Sequence, residues 1–135
     1  MANLTTATAD KLLDHLLGRT SYTMPTVYVG LYTTNPTEPA GTGGVEVSGG
    51  SYARVALGTG GASLMGAATS GSSDNTSAVN WATATADWGV VTGVGLFDAS
   101  TAGNLLASGA LTANKTVSNG DTFSLPISDL TVALS

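Results

Sequence analysis

Apolar positions recur with two different periods along this chain. Ala9, Leu12, Leu13, Leu16 and Leu17 are spaced by three and four, with Asp10, Lys11, Asp14 and His15 on the opposite side, which predicts an amphipathic helix over residues 9–18. Thr6 or Thr8 can cap its N-terminus. Asp10 falls in a first turn, where the helix dipole favours an acid, and Gly18 with Arg19 supplies the stop. So short a helix is marginal in water alone, so its leucine stripe needs a cover, either the domain's own sheet or a neighbouring subunit.

After Pro25 the period becomes two. Val27, Val29 and Leu31 alternate with Tyr28, Gly30 and Tyr32, a strand with one aliphatic and one partly aromatic face. Residues 33–44 carry Asn35, Pro36, Pro39, Gly41, Gly43 and Gly44 and read as an exposed loop. Strand character resumes over 45–57, broken at Gly49-Gly50. Residues 58–76 read as a long loop or irregular strand whose only apolar grip is Leu64 and Met65. Further strands are expected at 79–81, 88–98, 104–111, 115–117, 122–125 and 130–134, with Gly103-Asn104 and Asn119-Gly120 as hairpin turns. The fold class is mainly β: a β-sandwich or jelly-roll-like antiparallel barrel with one short N-terminal amphipathic helix. It forms a single domain over 1–135, with an arm at 1–8, the helix at 9–18 and a β domain at 25–135. Val29-Gly30-Leu31-Tyr32 and Val94-Gly95-Leu96-Phe97 share one pattern. Four residues prove no duplication, but each glycine suits a site where a ring or backbone packs closely.

Composition changes the picture of the surface. Hydrophobic residues are 42% of the 135 but charged ones only 10%, against about 25% in ordinary domains. A surface built from Thr, Ser, Asn and Gly, and depleted in charge, favours permanent assembly over life as a free monomer. The formal charge is −5, and Lys11, Arg19, Arg54 and Lys115 lie far apart, which argues against a nucleic-acid partner. The absence of cysteine removes disulfides and thiolate metal sites. The first residues lack the pattern of a secretion signal and no stretch has the length of a membrane span, so a cytoplasmic product with no membrane partner is expected.

Candidate chemistry is sparse. His15, the only histidine, reads as a solvated helix residue, and no G-x-S-x-G elbow or S-x-x-K pair accompanies it. The carboxylates fall mostly in turns, where Asp bonds nearby backbone. Asp74 and Asp98 lack the spacing of a calcium loop. The Gly41–Gly44 and Gly58–Gly61 stretches open no helix and carry no lysine, unlike phosphate loops. Trp81 and Trp88 read as core residues, with a sugar-stacking platform as the alternative. No enzymatic activity, catalytic residue, cofactor or metal is therefore expected.

The ordered succession of motifs resembles a known group. The helix Asp10–Leu17, the run Tyr22–Thr37, the stretch Glu46–Arg54 and then Ala86–Thr92, Leu96-Phe97-Asp98, Gly103–Ala107 and Lys115–Asp121 are similar to small tailed-bacteriophage virion proteins, often labelled tail-fibre-like. The resemblance implies a structural role. A capsid decoration or cement protein on the capsid exterior, bridging major capsid subunits after synthesis in the host bacterial cytoplasm, is the leading expectation. A tail fibre or tail-tip protein, structural or host-glycan-binding, is the alternative. Expected partners are the major capsid protein and further copies of the chain, a trimer being favoured. The contact residues expected on this basis are Ala2, Asn3, Leu4, Leu12, Leu16, Asn35, Pro36, Glu38 and Arg54. Arg54, a rare charge on a neutral strand, should pair with an acid, in its own chain rather than a neighbour's.

Overall fold

The computed structural model describes residues 2–58 and 63–134. In chain order its elements are β1 (Ala2–Leu4), α1 (Thr6–Leu16), β2 (Val27–Thr34), β3 (Val45–Glu46), β4 (Val55–Gly58), β5 (Ser72–Asp74), β6 (Val79–Asn80), β7 (Gly89–Phe97), β8 (Leu105–Val117), β9 (Ser124–Leu125) and β10 (Thr131–Ala133). Eight strands form one sheet in the order β3-β2-β7-β8-β1-β10-β5, with β4 also pairing β2, and β6 with β9 forms a second, two-stranded sheet. All pairings are antiparallel except β1 with β10. The fold is thus mainly β with one helix, and its layering is sandwich-like. The large sheet stays open among the described residues, so the barrel form of the expectation is not adopted.

The expected N-terminal arm is part of the sheet. Asn3 pairs with Ser108 of β8, and Ala2 pairs with Val132 of β10. Three residues with no strand pattern of their own become a strand because two partners offer ladders on either side.

The core lies between the large sheet and the smaller one. β2 supplies Val29 and Leu31, β7 supplies Val91, Val94 and Leu96, and β6 with β9 supplies Val79 and Leu125. Trp81 packs edge-on to Phe123 at 5.3 Å between ring centroids, and Trp88 packs edge-on to Tyr52 at 5.4 Å. Both tryptophans are buried. The turn at Asn119-Gly120 is closed by Asp121 N–H donating to the Ser118 carbonyl. It carries the chain from β8 into the second sheet, where Trp81 N–H bonds the Phe123 carbonyl, rather than joining two neighbours in one sheet. The Gly103-Asn104 turn does close a hairpin, between β7 and β8.

The repeated Val-Gly-Leu-aromatic pattern has a packing explanation. Gly30 and Gly95 sit directly opposite one another in the β2–β7 ladder. A Cβ on Gly30 would stand 2.8 Å from the Phe97 ring, and one on Gly95 would stand 2.6 Å from the Tyr32 ring. Each strand's aromatic residue thus covers the other strand's glycine, and the two rings meet at 6.1 Å. Local cross-strand packing accounts for the echo without any duplication.

The region expected to be a long loop or an irregular strand contains the short edge strand β5, paired to β10. Residues 59–62 of that stretch lie outside the described residues. Asn75, 1% exposed, ties the region down: its side-chain amide donates to the Ser77 and Pro126 carbonyls and accepts from Leu130 N–H. A buried amide is tolerated because these three bonds replace water.

Candidate functional site

The helix starts three residues before its predicted boundary. Thr5 is the cap, accepting from Thr8 N–H and donating to the Leu105 carbonyl of β8, so the cap also fastens the helix to the sheet. Thr6 N–H bonds the Pro39 carbonyl. With this earlier start no acid occupies the first turn. Gly18, at φ +76°, ends the helix in the left-handed conformation glycine favours, and Arg19 N–H folds back onto the Asp14 carbonyl.

Because the helix is held at its first turn, with Thr8 buried and Leu12 half-buried, the rest of the leucine stripe faces outward. Leu13 is 53% exposed, Leu16 77% and Leu17 76%, and Met24 in the following segment is 66%. The domain's own sheet does not cover this stripe. It is a compact apolar surface on a chain with few charges to keep it solvated.

The remaining expected contact residues divide. Asn3 and Glu38 are exposed. Asn35 is exposed too, but its side chain donates to the Thr92 carbonyl and accepts from the Thr92 hydroxyl. Leu4 is half-buried within β1. Ala2 is fully buried inside a sheet and Pro36 is buried beside Gly44, so neither presents its side chain at the surface of the chain. Arg54 is paired within the chain, as expected of a rare charge on a neutral strand.

The Arg54 side chain is 9% exposed and forms a 2.8 Å ion pair with Glu46. Its Nη1 donates to the carbonyls of Ala99 and Ala102, both at 2.8 Å, and its guanidinium lies 3.5 Å from the Phe97 ring centroid. One residue thereby clasps β3 and the β7–β8 loop together, using the planar fork that lysine lacks. Tyr52 completes the cluster, donating to Glu46 and accepting from Leu31 N–H. Burial, opposed by the Leu31 bond and assisted by Glu46, pushes the Tyr52 hydroxyl pKa up. Burial and then Glu46 push that of Tyr32 up to about 12, so both phenols stay neutral and available as donors.

His15 is exposed, and its Nδ1 accepts a 3.0 Å bond from Tyr22 N–H. This bond folds the post-helix segment against the last turn. Trp88 donates its indole N–H to the Gly50 carbonyl, and the burial of both tryptophans leaves neither ring free to stack on a ligand. Among the described residues no three metal-ligating side chains converge, and no helix is long and apolar enough to cross a membrane.

Asp98 bonds nearby backbone, as expected of an acid at a turn, and it also belongs to an arrangement that the sequence did not bring together. Asp98, at the start of the β7–β8 loop, accepts from Asn104 N–H at 2.7 Å and from the Asn104 side-chain amide at 2.9 Å. These bonds hold its carboxyl below the usual range and fix its orientation. It lines a depression of about 330 Å³ with Lys11, Asp14 and Tyr22. The spacing of Asp98 and Asn104 around four small residues and Gly103 was the available signal.

A mainly β domain with an outward apolar helix, carrying the ordered motifs above, is a small structural protein of a tailed-phage virion. Residues 3–133 match the family model described as podophage GP4 fiber I protein gp80, and the chain belongs to that family. Comparison with curated proteins gives no match.

Proposed function

We propose that this chain is a non-enzymatic, fibre-type subunit of the virion, fixed non-covalently to the particle through the leucine face of α1. The observation that carries the reading is the exposure of Leu13, Leu16 and Leu17 on one short helix. Removing one such side chain from water is worth about 1.5–3 kcal/mol, and an average specific interface takes roughly 800 Å² per partner. Asn3 and Glu38, both exposed around a separate depression with Asn35, are further polar contacts in this reading. Self-association, most simply as a trimer, multiplies the attachment points and makes the whole hard to release.

The family description favours a fibre position. A capsid cement role, with the same face seated on major capsid subunits at the capsid exterior, is the second reading. It is favoured by a compact fold with no repeat of the kind that builds a shaft. Cryo-electron microscopy of particles with and without the gene product separates the two. Missing density at the tail supports the fibre reading, and missing density spread over the icosahedral lattice supports the cement reading. Unchanged particles would refute both.

A further inference from the structure

We infer that the depression between the C-terminal end of α1 and the β7–β8 loop is a binding site for a neutral saccharide unit, formed by Lys11, Asp14, Tyr22 and Asp98 with the hydroxyls around them. It goes beyond the proposed attachment role, since the helix presents Lys11 and Asp14 on the side opposite the leucine stripe. Both surfaces can be occupied together.

The site is built before any ligand arrives. Asp98 is oriented by its two bonds from Asn104. The loop behind it is clamped by Arg54 through the Ala99 and Ala102 carbonyls. On the opposite wall, Tyr22 is held by its N–H bond to His15, and Arg19 and Thr20 N–H both bond the Asp14 carbonyl. Such a preformed site loses little ordering entropy on binding. The volume, about 330 Å³, sits at the small end of natural ligand pockets, suited to a single sugar ring.

The chemistry selects the ligand. Lys11 Nζ stands 6.0 Å from the centre of the Tyr22 ring, and burial, then the Asp98 charge, raises the pKa of the Tyr22 hydroxyl. Asp14 is paired with Arg19 at 3.8 Å, so Asp98 and Lys11 face the depression as one acid and one base, a balance that favours an uncharged ligand over an anion. Asp98 presents fixed acceptors, Lys11 presents donors, and the exposed hydroxyls of Thr20, Ser21 and Thr23 offer both. Tyr22 and Pro25 supply the apolar patch against which a ring's C–H face can rest. Alternating donors and acceptors beside one aromatic ring match a polyhydroxylated ring better than a bare cation, for which only two carboxylates are at hand.

The test is a 1H–15N NMR titration of the full chain with glucose, galactose, mannose, rhamnose and N-acetylglucosamine, each also as an oligosaccharide, and with inorganic phosphate and acetate. Saturable shifts with at least one sugar, confined to amides of residues 20–23 and 98–104, are expected. Tighter binding of the oligosaccharide would identify a chain rather than a free sugar as the natural source. Lys11→Met and Tyr22→Ala, both at the surface and away from the core, should each weaken binding about tenfold or more while the remaining spectrum stays folded. The inference is overturned by the absence of saturable shifts with every sugar, by binding that survives both substitutions, or by a stronger response to phosphate or acetate. None of these outcomes depends on where the chain sits in the particle.

Discussion

The Arg54 cluster and the outer face of α1 reverse the usual placement of charge and hydrocarbon. Arg54, one of only four basic residues, has a side chain only 9% exposed and bonded to Glu46, Ala99 and Ala102, while Leu16 and Leu17 stand in solvent. A buried ion pair is retained where each charge has geometry good enough to offset desolvation. Here the pair also fastens a loop, which an apolar substitute cannot do. Exposed leucine has no such local return. Its position makes sense when the surface that buries it belongs to another molecule. The first region organises the domain internally, and the second is the face we propose for assembly.

This contrast can be broken from the inside first. Arg54→Ala leaves Glu46 unpaired and releases the Ala99 and Ala102 carbonyls, so it should lower unfolding stability by about 3–5 kcal/mol in urea titrations. Arg54→Lys should recover little of that loss, because a single ammonium cannot span Glu46 and both carbonyls. A loss below about 1 kcal/mol for Arg54→Ala would remove the clasp from the account. Next in size, Gly95→Ala forces a methyl against the Tyr32 ring and should lower stability by about 1–3 kcal/mol. Combining it with Tyr32→Leu should give less than the sum of the two effects if the ring contact is the cause.

Acid stability gives a smaller, signed effect. Hydrogen bonds from Asn104 hold the Asp98 carboxyl lower in the folded chain than its ordinary value. Its contribution is therefore present above the ordinary carboxylate pKa of about 4 and fades as pH falls through the folded value. Asp98→Asn should flatten that acid limb in thermal melts and leave stability near neutral pH slightly reduced. Smallest of all is Trp81→Phe. The indole N–H of Trp81 is buried without a partner, so removing it while keeping a ring against Phe123 should change stability by about 0.5 kcal/mol or less. A loss of several kcal/mol would mean that the indole itself fills space phenyl cannot.

Much of the fold could be read from local patterns, and the failures have physical causes. The period-two run at Val27–Tyr32 and the period-3.6 run at Ala9–Leu17 each locate an element, because burial on one face imposes the spacing. The helix start was misplaced because Thr5, Thr6 and Thr8 are equally good caps by chemistry, and only the bond from Thr5 to Leu105 selects among them. Ala2–Leu4 reads as an arm because nothing within three residues signals the ladders that β8 and β10 provide. The leucine spacing revealed a face but not what lies against it, since periodicity is the same whether the cover is a sheet, a partner or water. Arg54 was recognisable as a rare charge needing an acid. Its hold on the β7–β8 loop, and with it the wall carrying Asp98, depends on contacts over forty residues away in the chain.

The outer leucines of α1 are proposed to serve the particle rather than the domain. That role is tested most directly by complementing a deletion of this gene with Leu16→Glu and measuring the chain's copy number in purified particles. Unfolding stability of the isolated variant should stay within about 0.5 kcal/mol of the parent, while its copy number in particles falls at least tenfold. A folded Leu16→Glu chain that enters particles at the parent's stoichiometry would contradict the account.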